Sequence, residues 1–265
     1  KITLVNEPVF NPPYDRFWLT PRQTRQRFEA NGWKRVVAHQ TRNVPHSGHE
    51  WLMKGAWFNA EADAILVNPV VGEKRVGDYI DEAILLGHDM LRQAGYFRED
   101  VHTVTMLLWD MRYAGPREAV FHAIVRKNLG CTHHMFGRDH AGVGTYYDTF
   151  AAHRIFSEIP DLGIKPVLTL EWWYCPECAG IAYEGLCGHK DKRQAFSGSV
   201  IRSILLDGVK PPRIIFRPEV FDVVMRCADE YGFGTPFVTE EYLRDRRPVF
   251  TLRPLDAAER GQAVG

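Results

Sequence analysis

The sequence lacks the features that mark several special classes of protein. It has no run of about 18 apolar residues, so a membrane-spanning helix is not expected, and its start, KITLVNEPVF, lacks the basic and long apolar regions of a signal peptide. Basic and acidic side chains balance at 33 each, which gives a formal net charge of zero. This balance gives no sign of a nucleic-acid or an anionic-membrane partner. We therefore expect a cytoplasmic protein in which any affinity for anions is local.

Internal repeats and low-complexity segments are also absent, and at 265 residues the chain can bury a core without disulfides. Apolar segments alternate with stretches of helical periodicity, which predicts the α/β class, a parallel sheet covered by helices on both faces. Predicted strands span residues 33–38, 64–71, 104–110, 133–136 and 166–174. Predicted helices span residues 21–31, 50–60, 77–95, 116–130, 197–206 and 218–232. The pattern changes near residue 165, where we place a domain boundary, and we expect the tail after Thr251 to be mobile.

Anion-binding groups are concentrated in one predicted strand-to-helix turn, QTRNVPHSGHE at residues 40–50. Open α/β sheets bind ligands beyond the carboxyl ends of their strands, and the free N–H groups and dipole of a helix N-terminus favour anions. Arg42 adds a planar donor fork suited to sulfate or phosphate. His46 and His49 lie three residues apart on a helix that is predicted to start at Pro45. Both rings can therefore meet one ligand, such as a triphosphate or a departing pyrophosphate.

This histidine pair also has a simpler interpretation. Taken alone, an HxxH pair is more often two surface or core histidines than a catalytic pair, and a zinc-protease site would need His at i and i+4 with a Glu between them. A second polar cluster, GRDHAG at residues 137–142, follows another predicted strand. It is compatible with a structural turn, but two such clusters at strand ends favour one shared crevice.

Three segments in series resemble the ATP sulfurylase, or sulfate adenylyltransferase, family. They are QTRN followed by HxxH, YAGPREA at residues 113–119, and GRDHAG, and FSGSVIR at residues 196–202 is similar to a further family segment. The resemblance implies a Rossmann-like nucleotidyltransferase domain of the HxxH superfamily over residues 1–165, followed by a small α+β domain with a zinc knuckle over residues 166–265. It implies that MgATP and sulfate give adenosine 5′-phosphosulfate and pyrophosphate by in-line attack of sulfate on the α-phosphorus. Positioning and charge stabilisation suffice for such a transfer.

The resemblance assigns roles to residues of both polar clusters. Sulfate would be held by Gln40, Arg42 and the backbone N–H of Ala141. The catalytic group, in which the histidines act on the leaving pyrophosphate, would be Thr41, Arg42, Asn43, His46 and His49. The nucleotide would be bound by Gln40, Asn43, Gly137, Arg138, Asp139 and His140.

The sequence departs from the family pattern at a few points. Pro45 is displaced but still suits a first helical position, Ser47 stands where an Arg often follows the first histidine, and Ser199 replaces a Thr. The sequence shows neither the N-terminal PUA-like domain of the family nor the P-loop of a fused adenylylsulfate kinase. Residues 113–118 are either part of the site or a loop that packs beside it, and Arg117 is not counted as catalytic.

Four metal-binding side chains lie close together in sequence: Cys175, Cys178, Cys187 and His189. Thiolates and an imidazole at CxxC and CxH spacings suit a closed, tetrahedral, structural zinc site. A redox CxxC, a disulfide and unpaired buried thiols are the alternatives, and a cytoplasmic chain argues against a stable disulfide. By resemblance, some family members carry zinc ligands in this region. We predict structural Zn²⁺ here, in addition to the Mg²⁺ that accompanies ATP.

Two other functions remain open from the sequence. One is a related HxxH nucleotidyltransferase with a different acceptor. The other is a non-catalytic, zinc-stabilised module that binds nucleotide. The sequence is silent on whether the reaction is assimilatory or dissimilatory, and it leaves a homo-oligomer open.

Overall fold

A five-stranded sheet whose strands all run parallel forms the centre of the structure. The computed structural model describes residues 5–196, 198–256 and 259, and of Ser199 only the backbone. Within these ranges the strands are β1 (Asn6–Phe10), β2 (Val36–His39), β3 (Ala64–Val67), β4 (Val70–Val71), β5 (His102–Val104), β6 (Leu107–Leu108), β7 (His133–Phe136), β8 (Lys165–Leu168), β9 (Trp172–Cys175), β10 (Gly180–Tyr183), β11 (Gln194–Ala195) and β12 (Phe250–Pro254). The helices are α1 (Pro21–Ala30), α2 (Ser47–Asn59), α3 (Asp81–Gln93), α4 (Pro116–Asn128), α5 (Ala151–Glu158), α6 (Gly198–Leu206), α7 (Pro218–Glu230) and α8 (Glu240–Asp245).

The strand order of the central sheet is β5-β3-β2-β7-β8. The chain runs outward from β2 through β3 to β5 on one side, and then returns to build β7 and β8 on the other. This reversal makes the β2/β7 pair the topological switch point, outside whose carboxyl ends open α/β sheets form a ligand crevice. The predicted α/β class with a parallel sheet is confirmed.

Alternate residues of the central strands face two separate hydrophobic cores. Val37 of β2 and Ile65 of β3 belong to a core with α2, α3 and α7, whereas Val36 and Leu66 belong to a core with α1, α4 and α5. Successive side chains of a strand point to opposite faces. Both strands are therefore buried along their whole length and read as continuous apolar runs.

Local signals located the first helix correctly. Thr20 caps α1 by accepting a hydrogen bond from the backbone N–H of Gln23 at 3.3 Å, and the Gln23 side chain accepts one from the backbone N–H of Thr20 at 2.9 Å. Pro21 occupies the first turn, where its missing N–H costs nothing. The predicted start at Thr20-Pro21 is confirmed.

Three long predicted strands are each divided in the structure. Residues 104–110 contain Val104, the last residue of β5, and then β6. Residues 64–71 form β3 and β4, which Asn68 and Pro69 separate, and β4 pairs with β6 outside the central sheet. Residues 166–174 likewise form the end of β8 and most of β9, which belong to different sheets. An apolar run shows that a segment is buried, but the partner strand decides where pairing stops.

The prediction of a mobile tail after Thr251 is wrong for residues 252–254. They belong to β12, which pairs antiparallel with β1 in the register Asn6 to Pro254 through Phe10 to Phe250. A partner about 240 residues away leaves no trace in local periodicity. Residues 257, 258 and 260–265 of the predicted tail lie outside the described residues.

The predicted boundary near residue 165 stays a prediction. A division after residue 165 falls within β8 (Lys165–Leu168), which pairs with β7 in the central sheet. In addition, α7 packs against α3 in one of the two main cores. The strands β9, β10 and β11 form a separate antiparallel sheet. Among the described residues, no helix has the length and apolar character that crossing a membrane requires.

Candidate active site

The loop after β2 is held in a defined shape by hydrogen bonds around Asn43. The backbone N–H of Asn43 donates to Thr41 Oγ1 at 3.1 Å, and the Thr41 hydroxyl donates to the Asn43 carbonyl at 3.4 Å. His88 Nε2, on the fully buried ring of an α3 residue, lies 3.2 Å from the same carbonyl and donates to it. Two donors on one carbonyl fix the loop that carries Gln40 and Arg42.

His46 and His49 do form a pair at the start of α2, but not in the predicted position. The helix begins at Ser47 with His46 as its N-cap, so the expectation that Pro45 takes the first helical position is wrong. His46 Nδ1 accepts from the backbone N–H of Gly48 at 3.0 Å, and His49 Nδ1 accepts from that of His46 at 3.4 Å. The ring centroids are 3.9 Å apart.

This capping geometry fixes which nitrogen each ring presents to a ligand. Burial lowers the pKa of His49 to about 4, and burial together with the nearby His49 and His88 lowers the pKa of His46 well below its ordinary value. Both rings are therefore neutral at pH 7. A neutral imidazole that accepts at Nδ1 carries its proton on Nε2, so each histidine offers an N–H donor to an anion.

The GRDHAG loop follows β7, the strand beside β2, and reaches the same edge of the sheet. Asp139 and Ala141 have positive φ angles of 51° and 55°, a conformation that non-glycine residues adopt only when surrounding contacts hold it. One such contact is the hydrogen bond from the backbone N–H of Gly115 to the carbonyl of Ala141, at 2.9 Å. The His140 ring turns inward, with Nε2 2.9 Å from Nδ1 of His122.

Two adjoining cavities of about 500 Å³ and about 300 Å³ lie at this edge of the sheet. They share Asn43, His49, Arg138 and Asp139. The eleven side chains and backbone positions to which the family resemblance assigned a catalytic or binding role all line one or both cavities, namely Gln40, Thr41, Arg42, Asn43, His46, His49, Gly137, Arg138, Asp139, His140 and Ala141. The structure therefore brings the two predicted clusters into one crevice.

Several residues to which the sequence analysis assigned no individual role also line the crevice. In the larger cavity these are Val44, Tyr79, Glu171, Ala195, Phe196, Gly198, Ile201 and Arg202. Four of them, Phe196, Gly198, Ile201 and Arg202, belong to the FSGSVIR segment, whose similarity to a family motif was the available signal. Phe196 stands with its ring centroid 5.3 Å from that of His46. Ser197 and the Ser199 side chain lie outside the described residues.

Tyr113, in the segment of residues 113–118, contacts Arg42, a residue that lines the crevice. Arg42 Nη1 donates to the Tyr113 hydroxyl at 2.6 Å, and the Arg42 guanidinium lies 4.9 Å from the centroid of its ring. Arg75 lies over the same ring at 4.3 Å. Tyr113 itself has a φ of 54°, so its backbone is constrained at the point where it meets Arg42.

The cysteine-rich hairpin brings four potential metal ligands together, and this group could hold a metal ion. The Sγ atoms of Cys175, Cys178 and Cys187 and the Nδ1 atom of His189 all lie within 4.8 Å of one another. Cys178 Sγ is 3.9 Å from Cys187 Sγ and 3.4 Å from His189 Nδ1. Tetrahedral zinc, with bonds of about 2.3 Å to sulfur and about 2.05 Å to nitrogen, would place its ligands about 3.8 Å and about 3.6 Å apart. The four side chains therefore fit a tetrahedral ion.

The family model described as ATP-sulfurylase matches residues 15–227. The chain belongs to the ATP-sulfurylase family. Sulfate adenylyltransferase of Archaeoglobus fulgidus is 48% identical over 261 aligned residues, covering 92% of this chain and 57% of the relative. That of Pyrococcus abyssi is 44% identical over 239 residues, covering 90% and 60%. This ATP-sulfurylase family chain thus spans less than two thirds of the length of these curated relatives.

A solved structure, a hexameric APS kinase from Thiobacillus denitrificans, superimposes on this ATP-sulfurylase family chain with a TM-score of 0.63. The match covers 82% of this chain and 41% of that one, at 22% sequence identity. This is a likeness of fold.

Proposed function

We propose that the protein is a sulfate adenylyltransferase, which transfers AMP from MgATP to sulfate and releases pyrophosphate. The observation that carries this proposal is the convergence of all eleven residues of the family pattern on one crevice at the β2/β7 switch point. Curated relatives with 44–48% identity carry the same name. ATP is a cytoplasmic metabolite, so the proposal includes a cytoplasmic location.

The two cavities suit the two substrates. Sulfate would occupy the part of the smaller one that Gln40, Arg42 and Ala141 line. The nucleotide would occupy the larger one beside Phe196 and Arg202 and extend to Gly137 and His140 of the smaller one. The α-phosphorus would then lie near the shared wall. There Asn43 and His49 can contact the reacting groups, and a sulfate oxygen can attack in line.

Charge stabilisation would come from donors that are already fixed before substrate binds. Arg42 supplies the guanidinium for the attacking oxyanion, held by Tyr113. The Nε2–H groups of His46 and His49 would donate to the pyrophosphate as negative charge develops on it. Mg²⁺ would enter with the nucleotide and offset the charge of its phosphates.

The direct test is sulfate-dependent exchange of labelled pyrophosphate into ATP, measured with the full-length protein. We expect exchange only when sulfate is present. In a separate assay, release of pyrophosphate from MgATP should require sulfate or an analogue such as molybdate. Chloride at equal ionic strength is the control. Turnover that continues without sulfate would point to a different acceptor, and nucleotide binding without any turnover would point to a non-catalytic module.

The proposal includes Zn²⁺ as the ion held by Cys175, Cys178, Cys187 and His189. Three soft thiolates and one imidazole at tetrahedral separations favour zinc, and four protein ligands leave no open position for chemistry. The ion would tie the β9–β10 hairpin to the segment before β11.

Protein purified without added zinc should contain close to one equivalent of the metal. Cys178→Ser should reduce this content severalfold and lower the free energy of unfolding by about 3 kcal/mol, because a structural crosslink is lost. Cys131→Ala, which removes a buried thiol from another part of the core, should leave the metal content unchanged. Metal-free protein with unaltered stability would contradict the structural role.

A further inference from the structure

Glu118, in the first turn of α4, is a buried carboxylate with an unusual set of partners. It is 4% exposed and accepts hydrogen bonds from the backbone N–H groups of Arg112 at 2.9 Å and Ala114 at 3.0 Å, and from the Trp109 indole at 3.3 Å. Among the described residues, no lysine or arginine forms an ion pair with it. A buried carboxylate is costly unless hydrogen bonds satisfy it. Here the loop from residue 109 to residue 114 supplies them.

This loop carries the residue that holds Arg42. Tyr113 stands between Arg112 and Ala114, the two residues whose backbone N–H groups donate hydrogen bonds to Glu118. Its φ of 54° needs such support. Because Arg42 donates to the Tyr113 hydroxyl at 2.6 Å, the position of the guanidinium depends on where the loop holds the phenol. Glu118 therefore acts on Arg42 through Tyr113.

A second path leads from the same carboxylate to the GRDHAG loop. His122, one turn further along α4, has Nε2 3.7 Å from Glu118 Oε1 and Nδ1 2.9 Å from Nε2 of His140. His122 is fully buried. Burial and the nearby Arg126 lower the pKa of both rings, that of His140 to about 3. Both rings are therefore neutral, and one must donate to the other.

The carboxylate decides the direction of that hydrogen bond. A negative charge beside Nε2 of His122 favours the tautomer with its proton on Nε2, which leaves Nδ1 as an acceptor for the N–H of His140. The His140 ring is then fixed with its own Nδ1 as the remaining acceptor. Glu118 thus also sets the orientation of a ring that lines the smaller cavity.

We propose that Glu118 is the positioning residue that holds both sides of the crevice, aiming Arg42 through Tyr113 and orienting His140 through His122. The kinetic part of this proposal rests on the proposed sulfate adenylyltransferase activity. Glu118 lines neither cavity, so its effect on catalysis passes through these two paths. The two paths are separable, because each has an intermediate residue that can be changed alone.

The kinetic test compares three variants in the full-length protein. Tyr113→Phe, which removes only the hydroxyl, should lower kcat/KM for sulfate about tenfold with KM for MgATP within about twofold of wild type. His122→Leu should raise KM for MgATP about tenfold, and His122→Asn, whose amide oxygen can stand near the Nδ1 position, should restore most of that loss. Glu118→Gln should show both defects.

The matched control is Glu82→Gln. It alters a carboxylate that is 2% exposed, accepts a hydrogen bond from the Tyr242 hydroxyl at 3.0 Å and lines neither cavity. This variant should lower thermal stability while leaving kcat/KM for sulfate and KM for MgATP near their wild-type values. If Glu118→Gln changes stability alone, as this control does, the proposal is wrong. It is equally wrong if Tyr113→Phe and His122→Leu alter the same constant.

A spectroscopic measurement decides the His122 path without any enzyme activity. Nitrogen-15 NMR of labelled histidines should find the His122 proton on Nε2 in wild type, and a shift towards the other tautomer in Glu118→Gln. A proton on Nδ1 in the wild type overturns the His122 path. If the wild-type protein shows no sulfate-dependent exchange, the proposed function fails, and the tautomer still decides whether Glu118 orients this path.

Discussion

Arg42→Ala is expected to lower sulfate-dependent turnover about a hundredfold to a thousandfold, the range found when one donor to a developing oxyanion is removed. Binding of MgATP should stay within about threefold of wild type. The physical reason is the place of Arg42, which lines the smaller cavity with Gln40 and Ala141 and not the cavity that contains Phe196. Initial rates at varied sulfate, together with equilibrium binding of MgATP, measure the two effects separately.

Arg75→Ala provides a matched control for this experiment. The Arg75 guanidinium lies 4.3 Å from the centroid of the Tyr113 ring, which Arg42 also contacts, yet Arg75 lines neither cavity. Its replacement should leave turnover within about threefold of wild type. Equal losses in the two variants would show that Arg42 acts by packing on the ring. A loss of MgATP affinity as large as the loss of turnover would assign Arg42 to the nucleotide.

Folding stability is expected to fall steeply as the pH drops below about 6.5. Five histidines are at most 4% exposed, and burial lowers the pKa of each well below the ordinary value of 6.5, that of His102 to about 3: His39, His88, His102, His122 and His134. Below pH 6.5 the unfolded chain binds protons that the folded chain cannot accept. Stability is therefore present above the unfolded pKa and is lost as the pH falls towards the folded values.

The expected size of this loss is large. Each such histidine contributes up to about 1.4 kcal/mol per pH unit, so five approach about 7 kcal/mol per unit against a typical total stability of about 5–15 kcal/mol. Asp81 and Glu82, whose pKa burial raises, act in the opposite sense, but two carboxyls cannot offset five imidazoles. Urea denaturation between pH 8 and pH 5 should show a midpoint that falls continuously below pH 7.

Two variants separate the causes of acid sensitivity. In His102→Phe a ring that stacks on Phe97 at 4.8 Å is replaced by another aromatic ring. Neither nitrogen of His102 has a hydrogen-bond partner in the described part of the chain, so the variant should take up one proton fewer on unfolding. Cys178→Ser, measured in the same series, reveals how much of the loss comes from release of the proposed Zn²⁺. A urea midpoint that stays level from pH 7 to pH 5 would contradict the expectation.

Much of the fold was open to prediction because it depends on neighbours in sequence. The capping box at Thr20 involves residues three apart, and the apolar runs of β2 and β3 reflect burial on both faces of a parallel sheet. The position of the crevice also followed, since strands that run parallel deliver their carboxyl ends to one edge. The limits of the strands did not follow. Strand β3 ends at Val67, before Asn68 and Pro69, because its pairing with β2 and β5 ends there, and those partners are distant in sequence.

Within the site, the sequence identified the residue types, and the tertiary structure decided what each can do. The motifs QTRN, HxxH and GRDHAG determined the family and the eleven candidate positions. That His46 caps α2, that Tyr113 holds Arg42, and that Glu118 supports both loops were decided only by the fold. The contact between Arg42 and Tyr113 joins residues 71 positions apart, and the tautomer of each buried ring depends on its nearest hydrogen-bonding partner in space. Local pattern fixes which groups are present, whereas hydrogen-bond direction and protonation are set by the packed surroundings.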